Sequence, residues 1–112
     1  MANSTFRFQP TPSAMLVGLP ETVAAHCALV LDSLRMIRVG HAAAACERMP
    51  VTLPRVVVVI DTLSSQDRAM IEERAIACGA ELVLVTSSPD LNDLGARLHA
   101  AAEVSAKKRG SR

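Results

Sequence analysis

The strongest hydrophobic signal in the chain is the run Val56-Val57-Val58-Val59-Ile60, which ends abruptly in Asp61. A strand with one wet face alternates apolar and polar positions. An unbroken β-branched run predicts a strand covered on both faces, as in a parallel sheet sandwiched by helices. Three further short runs share this character: residues 14–17, residues 35–39 with Met36, Ile37 and Val39 apolar, and residues 81–86.

Helical spacing fills the intervals. Gly18-Leu19-Pro20-Glu21 turns the chain into a helix, with Pro20 near the first helical position, where its missing N–H costs nothing. Val23, Cys27, Val30, Leu31 and Leu34 make its buried stripe and predict a helix reaching about Leu34. Gly40 and His41 open an Ala-rich helix to about Met49, with a stripe of Ala42, Ala45, Cys46 and Met49, and Pro50 and Pro54 then bracket a loop. Ser64 or Ser65 caps a third helix, Asp67 standing where a capping box has Glu. Met70, Ile71, Ala75 and Cys78 form its inner side, and Gly79 suits the position after its end. Ser88-Pro89-Asp90 starts a last helix with a hydroxyl cap, a proline and a carboxylate facing the positive dipole end, and its stripe is Leu91, Leu94, Leu98, Ala101 and Ala102. Residues 103–107 fit either a stunted fifth strand or more helix. The Ala-rich sequence favours helix.

The order βαβαβαβα with right-handed crossovers predicts a doubly wound parallel α/β sheet of four strands, order 2-1-3-4, with helices on both faces. Asp61 then lies at a strand's carboxyl end, where such sheets place their ligand crevices. One domain over residues 14–106 is expected. A loose N-terminal arm, residues 1–13, precedes it, with Phe6 and Phe8 at alternate positions as in a short strand able to pair with a sheet edge or a second subunit. A basic tail, residues 107–112, follows it.

Composition narrows the function classes. With 112 residues and half of them hydrophobic, the chain can bury one core, and its only aromatics are 2 Phe, so that core is aliphatic. A net charge of +1 argues against a general nucleic-acid binder. A nucleic-acid contact would rest on the tail alone. No apolar stretch approaches the ~20 residues that span a bilayer, and the first residues do not read as a signal peptide, so a cytoplasmic protein without membrane contact is expected. The 3 cysteines, Cys27, Cys46 and Cys78, have no CxxC spacing and fall on helix stripes, which predicts small core residues carrying free thiols. His26, His41 and His99 lack metal-ligand spacing.

The run ending in Asp61, and a later run, residues 82–86, ending in the hydroxyl of Thr86, resemble the response-regulator receiver domain, a flavodoxin-like fold, over residues 14–102. The resemblance implies a phosphoacceptor at Asp61 and a switch hydroxyl at Thr86. Receivers also carry an acidic pair after the first strand that holds Mg²⁺ with the phosphorylated aspartate. Gly18 and Leu19 occupy those places here, with Glu21 the nearest carboxylate. Lys107 lies at about the distance of the family's conserved lysine, with no convincing strand before it. Mg²⁺ wants near-octahedral oxygen ligation, and phosphoryl transfer depends on that positioning. The resemblance therefore implies an atypical, pseudo-receiver module.

The expected function is a non-enzymatic signalling module without a cofactor, which docks a protein partner or forms a homodimer. Two alternatives stay open: a true phosphoacceptor using Asp61, with Mg²⁺ held by Asp61 and Glu21, or a small-ligand or nucleotide binder at the strand ends. A strand-end Asp61 that caps the turn by accepting from the Ser64 or Ser65 N–H needs no such chemistry. With only four strands, the fourth is an apolar sheet edge, and apolar surface is expected at Leu82, Leu84, Leu91, Leu94 and Leu98, the candidate interface.

Overall fold

The computed structural model describes residues 11–110, with side chains through Lys108. The arm bearing Phe6 and Phe8 lies outside the described residues.

Four parallel strands, β1 (Ser13–Val17), β2 (Arg35–Val39), β3 (Val56–Ile60) and β4 (Glu81–Val85), form one sheet in the order β2-β1-β3-β4. They alternate with α1 (Glu21–Val30), α2 (Ala42–Thr52), α3 (Ser65–Cys78) and α4 (Leu91–Gly110). The inner strands β1 and β3 are buried at every position, which is what their unbroken apolar runs require. Strand periodicity divides the core in two. Leu16, Val56, Val58, Val83 and Val85 pack under α1 and α4. Met15, Val17, Val57, Val59 and the half-buried Leu82 and Leu84 face α2 and α3. The result is a flavodoxin-like α/β fold with the expected strand order.

The helix ends follow local chemistry. Ser64 caps α3 by accepting from the Asp67 N–H at 3.1 Å, and Gly79 ends it with φ of 76°. Asp90, not Ser88, caps α4, its carboxylate accepting from the Asn92 and Asp93 N–H groups at 2.9 and 3.2 Å. Helix α4 runs through residues 103–107 without a break, so Lys107 and Lys108 belong to a helix and not to a separate tail.

Two boundaries differ from expectation. Helix α1 stops at Val30, because the chain must turn for the Arg35 N–H to meet the Pro12 carbonyl at 2.9 Å beside β1. Leu31 and Leu34 still pack on the core from that turn. Helix α2 continues past Pro50 to Thr52. Proline removes one N–H, but the last turn closes around it through the Leu53 N–H on the Met49 carbonyl at 2.8 Å and the Thr52 hydroxyl on the Arg48 carbonyl at 2.9 Å.

The placement of α4 decides what is left uncovered. A right-handed crossover from β4 to a fifth strand beyond it would put the helix on the α3 side. Instead α4 crosses to the other face and packs beside α1. The outer half of β4 on the α3 side is therefore covered by α3 alone.

Candidate functional site at the carboxyl edge of the sheet

At the end of β1 the chain turns through Gly18, with φ of 69° and its N–H donating to the Val39 carbonyl at 2.9 Å. A Cβ at Gly18 would stand 3.1 Å from Ile60 Cγ2, so the last residue of β3 fills the space where a side chain would enter the crevice. Leu19 is half-buried and packs on the α1/α4 core. Glu21, in the first turn of α1, is exposed and held by Arg38 of β2, Nη2 to Oε1 at 3.0 Å and Nη1 to Oε2 at 3.2 Å. That guanidinium holds the carboxyl below the usual glutamate range.

At the ends of β3 and β4, Asp61 and Thr86 line one hollow of about 330 Å³, together with Arg68, Asp90, Asp93 and Arg97. Asp61 is tied in by its backbone, its N–H donating to the Val85 carbonyl at 2.8 Å, while its exposed carboxylate has no hydrogen bond or ion pair among the described residues. The expected cap from Asp61 onto the Ser64 or Ser65 N–H is absent, and α3 is capped instead by the Ser64 hydroxyl, which accepts from the Asp67 N–H. Asp90 is occupied with the start of α4, and Arg97 donates to the Leu84 carbonyl at 2.7 Å.

The structure thus brings Asp61 and Thr86 together and leaves Glu21 out. Gly18, Leu19 and Arg38 line a second hollow of about 230 Å³ at the β1–β2 end. No group of three or more His, Cys, Asp or Glu able to hold a metal ion occurs among the described residues. The hollow at Asp61 sets its carboxylate beside two arginines, with Asp93 and an Asp90 already accepting from the first N–H groups of α4, a poor match to the oxygen-rich shell of Mg²⁺. Arg68 and Arg97 carried no signal in the sequence, since an isolated arginine on a helix has no readable target.

The histidines are spread apart in local roles. His26 Nε2 donates to the Leu91 carbonyl at 3.0 Å, joining α1 to α4, and His41 Nδ1 accepts from the Ala44 N–H at 3.3 Å as the α2 cap. Cys27 and Cys46 are buried and Cys78 half-buried, all as free thiols. Burial pushes the Cys27 thiol up to about 11 and also raises Cys46.

The expected apolar interface needs correction. Leu94 and Leu98 are 1% and 0% exposed and belong to the core, because α4 presents them to the sheet beside α1. Leu82 and Leu84 are half-buried on β4, and Leu91 is 43% exposed. Two residues absent from the expected set join the surface around β4: Ile76 of α3 at 78% and Val104 of α4 at 44% exposure. Ile76 lines a groove of about 350 Å³ between α3 and β4, with Glu72, Ala75, Gly79, Leu82 and Lys108.

No helix among the described residues is long and apolar enough to cross a membrane. No family model matches the chain, and no curated protein is similar to it in sequence. Among solved structures, it is similar to a Burkholderia pseudomallei protein described as pilus assembly-related, with a TM-score of 0.55, 17% identity, and coverage of 88% of this chain and 95% of that one. At that identity the likeness establishes a shared fold: this chain and that protein are both small flavodoxin-like α/β domains.

Proposed function

We propose that the chain is a receiver-like interaction module of a bacterial-type signalling pathway, acting by contact with another protein chain and not by phosphoryl transfer. The observation that carries this reading is the filling of the β1 end. Gly18 has no side chain, Ile60 takes the space beside it, and Glu21 is bound to Arg38. From the β1 side, where receivers place the acidic pair that seats a divalent cation, Asp61 thereby gains no carboxylate. The exposed apolar residues around β4 support a docking role in its place. The structurally similar protein's description as pilus assembly-related fits a module that works inside a larger assembly.

The test is incubation with acetyl phosphate and Mg²⁺ followed by intact-mass measurement. An unchanged mass is expected. A phosphate adduct that disappears in Asp61→Asn would replace this reading with that of a true phosphoacceptor. The hollow holding Asp61, Thr86, Arg68 and Arg97 beside Asp90 and Asp93 supports one second reading, a small ligand or nucleotide at the β3–β4 end. Thermal stabilisation by such a compound, lost in Arg68→Ala, would support it.

A further inference from the structure

We propose that the chain's own N-terminal arm turns across the amino edge of the sheet and seats Phe6 and Phe8 in the groove between α3 and β4. This goes beyond the interaction-module reading and does not depend on it. A partner docking beside β4 would meet the arm first.

The described residues leave this groove unfinished. It measures about 350 Å³, within the roughly 300–1,000 Å³ of ordinary ligand pockets, so it has room for an aromatic ring. Ile76 borders it at 78% exposure, the highest of any large hydrophobic residue described. Leu82 lines it half-buried, and Gly79 gives it a stretch of wall without a side chain. Glu72, one helical turn before Ile76, lines it half-buried with no hydrogen bond or ion pair among the described residues. Glu81, by contrast, is held by Lys108 at 2.7 Å. A matching occupant brings apolar side chains and a positive charge.

The arm has that chemistry. Phe6 and Phe8 are the chain's only aromatic residues, and their spacing of two puts both rings on one side of an extended backbone. Arg7 is the only charged side chain ahead of Ser13, so the arm brings net positive charge to a groove with an unmatched carboxylate.

The arm also has the right origin. The strands are all parallel and start at one edge of the sheet, and α3 ends at that edge. The groove therefore lies where the arm enters, while the hollows at Asp61 and at Gly18 lie at the opposite edge. Ala14 pairs with Val56 and Val56 with Glu81, so β1 and β4 start level, two strand spacings or about 10 Å apart. Phe8 precedes Ser13 by five residues, a reach of about 17 Å, and Phe6 by seven, about 23 Å. Both exceed the distance to β4, with length left to come round to the α3 side. Pro10 and Pro12 bias the residue before each to extended backbone, which preserves that reach. Neither proline has an N–H for a sheet ladder, so side chains must hold the arm. The seat lies on the α3 side of β4, and the Arg97 contact with the Leu84 carbonyl and the Glu81–Lys108 pair both stay in place.

The test uses the full chain, which has no Trp or Tyr. Phe8→Trp then carries its single indole, whose emission is expected at short wavelength and shielded from acrylamide. Ile76→Glu, at an exposed position, should move that emission to the wavelength of a solvent-exposed indole, with far-UV circular dichroism unchanged. Val51→Glu, at an exposed apolar residue of the same edge on α2, should leave it unmoved. Emission that stays short in Ile76→Glu, or that Val51→Glu shifts as far, overturns the proposal. Should the larger indole itself fail to seat, the Ile76 methyl protons decide. In the unaltered chain ring currents should hold them upfield, and the double variant Phe6→Leu/Phe8→Leu should return them. Unshifted methyls overturn the proposal. So does a signal that fades on dilution together with a doubled mass in light scattering, because the arm would then sit on a second copy.

Discussion

Arg38 and Glu21 form a two-point ion pair beside the end of β1, at 3.0 and 3.2 Å. The pair withdraws the carboxylate nearest the end of β1 from the crevice. Glu21 therefore titrates below the usual glutamate range, through its hydrogen bond to Arg38 and then through charge. The sign follows: the stabilisation is present above the ordinary glutamate range and is lost as pH falls through the lowered value. Both groups are exposed, so salt screens the effect. In a carboxyl-carbon NMR titration, Arg38→Ala should move the Glu21 midpoint upward. An identical midpoint in the variant would contradict the ion pair.

Gly18 and Gly79 both have positive φ, 69° and 76°, but only Gly18 has a neighbour in the way, Ile60 Cγ2 at 3.1 Å from an added Cβ. Gly79→Ala is expected to cost about 1 kcal/mol from the left-handed backbone alone. Gly18→Ala should cost more, because Ile60 is held in the core and must also shift. Urea unfolding of the two variants compares them directly. Equal losses would mean that Ile60 yields freely.

Leu98 and Ser105 lie on the same buried side of α4 and should respond oppositely to truncation. Leu98 is 0% exposed, so Leu98→Ala is expected to cost about 2–5 kcal/mol. The Ser105 hydroxyl is buried without a hydrogen-bond partner among the described residues, so Ser105→Ala should gain about 1 kcal/mol. Both are read from denaturant midpoints. A Leu98→Ala variant of undiminished stability would return Leu98 to the surface.

Cys27 sits in the α1 core, and burial raises its thiol from 9.0 to about 11. The fold thus prefers the neutral thiol. Stability is intact below pH 9, where the unfolded thiol begins to ionise, and declines as pH rises toward 11. Cys27→Ala should flatten that alkaline decline in pH-dependent unfolding. A thiol reagent at neutral pH should label Cys78, the half-buried cysteine, before Cys27 or Cys46. Labelling of Cys27 first would contradict the burial.

The elements and the strand order were legible because their signals are local. The valine run specified a doubly covered strand, helical stripes specified one buried face each, and Ser64 and Gly79 marked both ends of α3. Asp61 and Thr86 were legible as strand-end residues, and they do line one hollow. Pro50 misled as a helix stop, because the last turn found other hydrogen bonds. Which face α4 joins was not legible. Periodicity says that Leu94 and Leu98 are buried against something, and not which side of the sheet they meet. That choice was made by the tertiary structure: with no strand beyond β4 among the described residues, α4 packs beside α1, buries both leucines, and leaves β4 as an apolar edge. The separation of Glu21 from Asp61 was likewise decided in three dimensions, because the ion pair of Glu21 with Arg38 of β2 and the packing of Ile60 against Gly18 are contacts between elements distant in sequence.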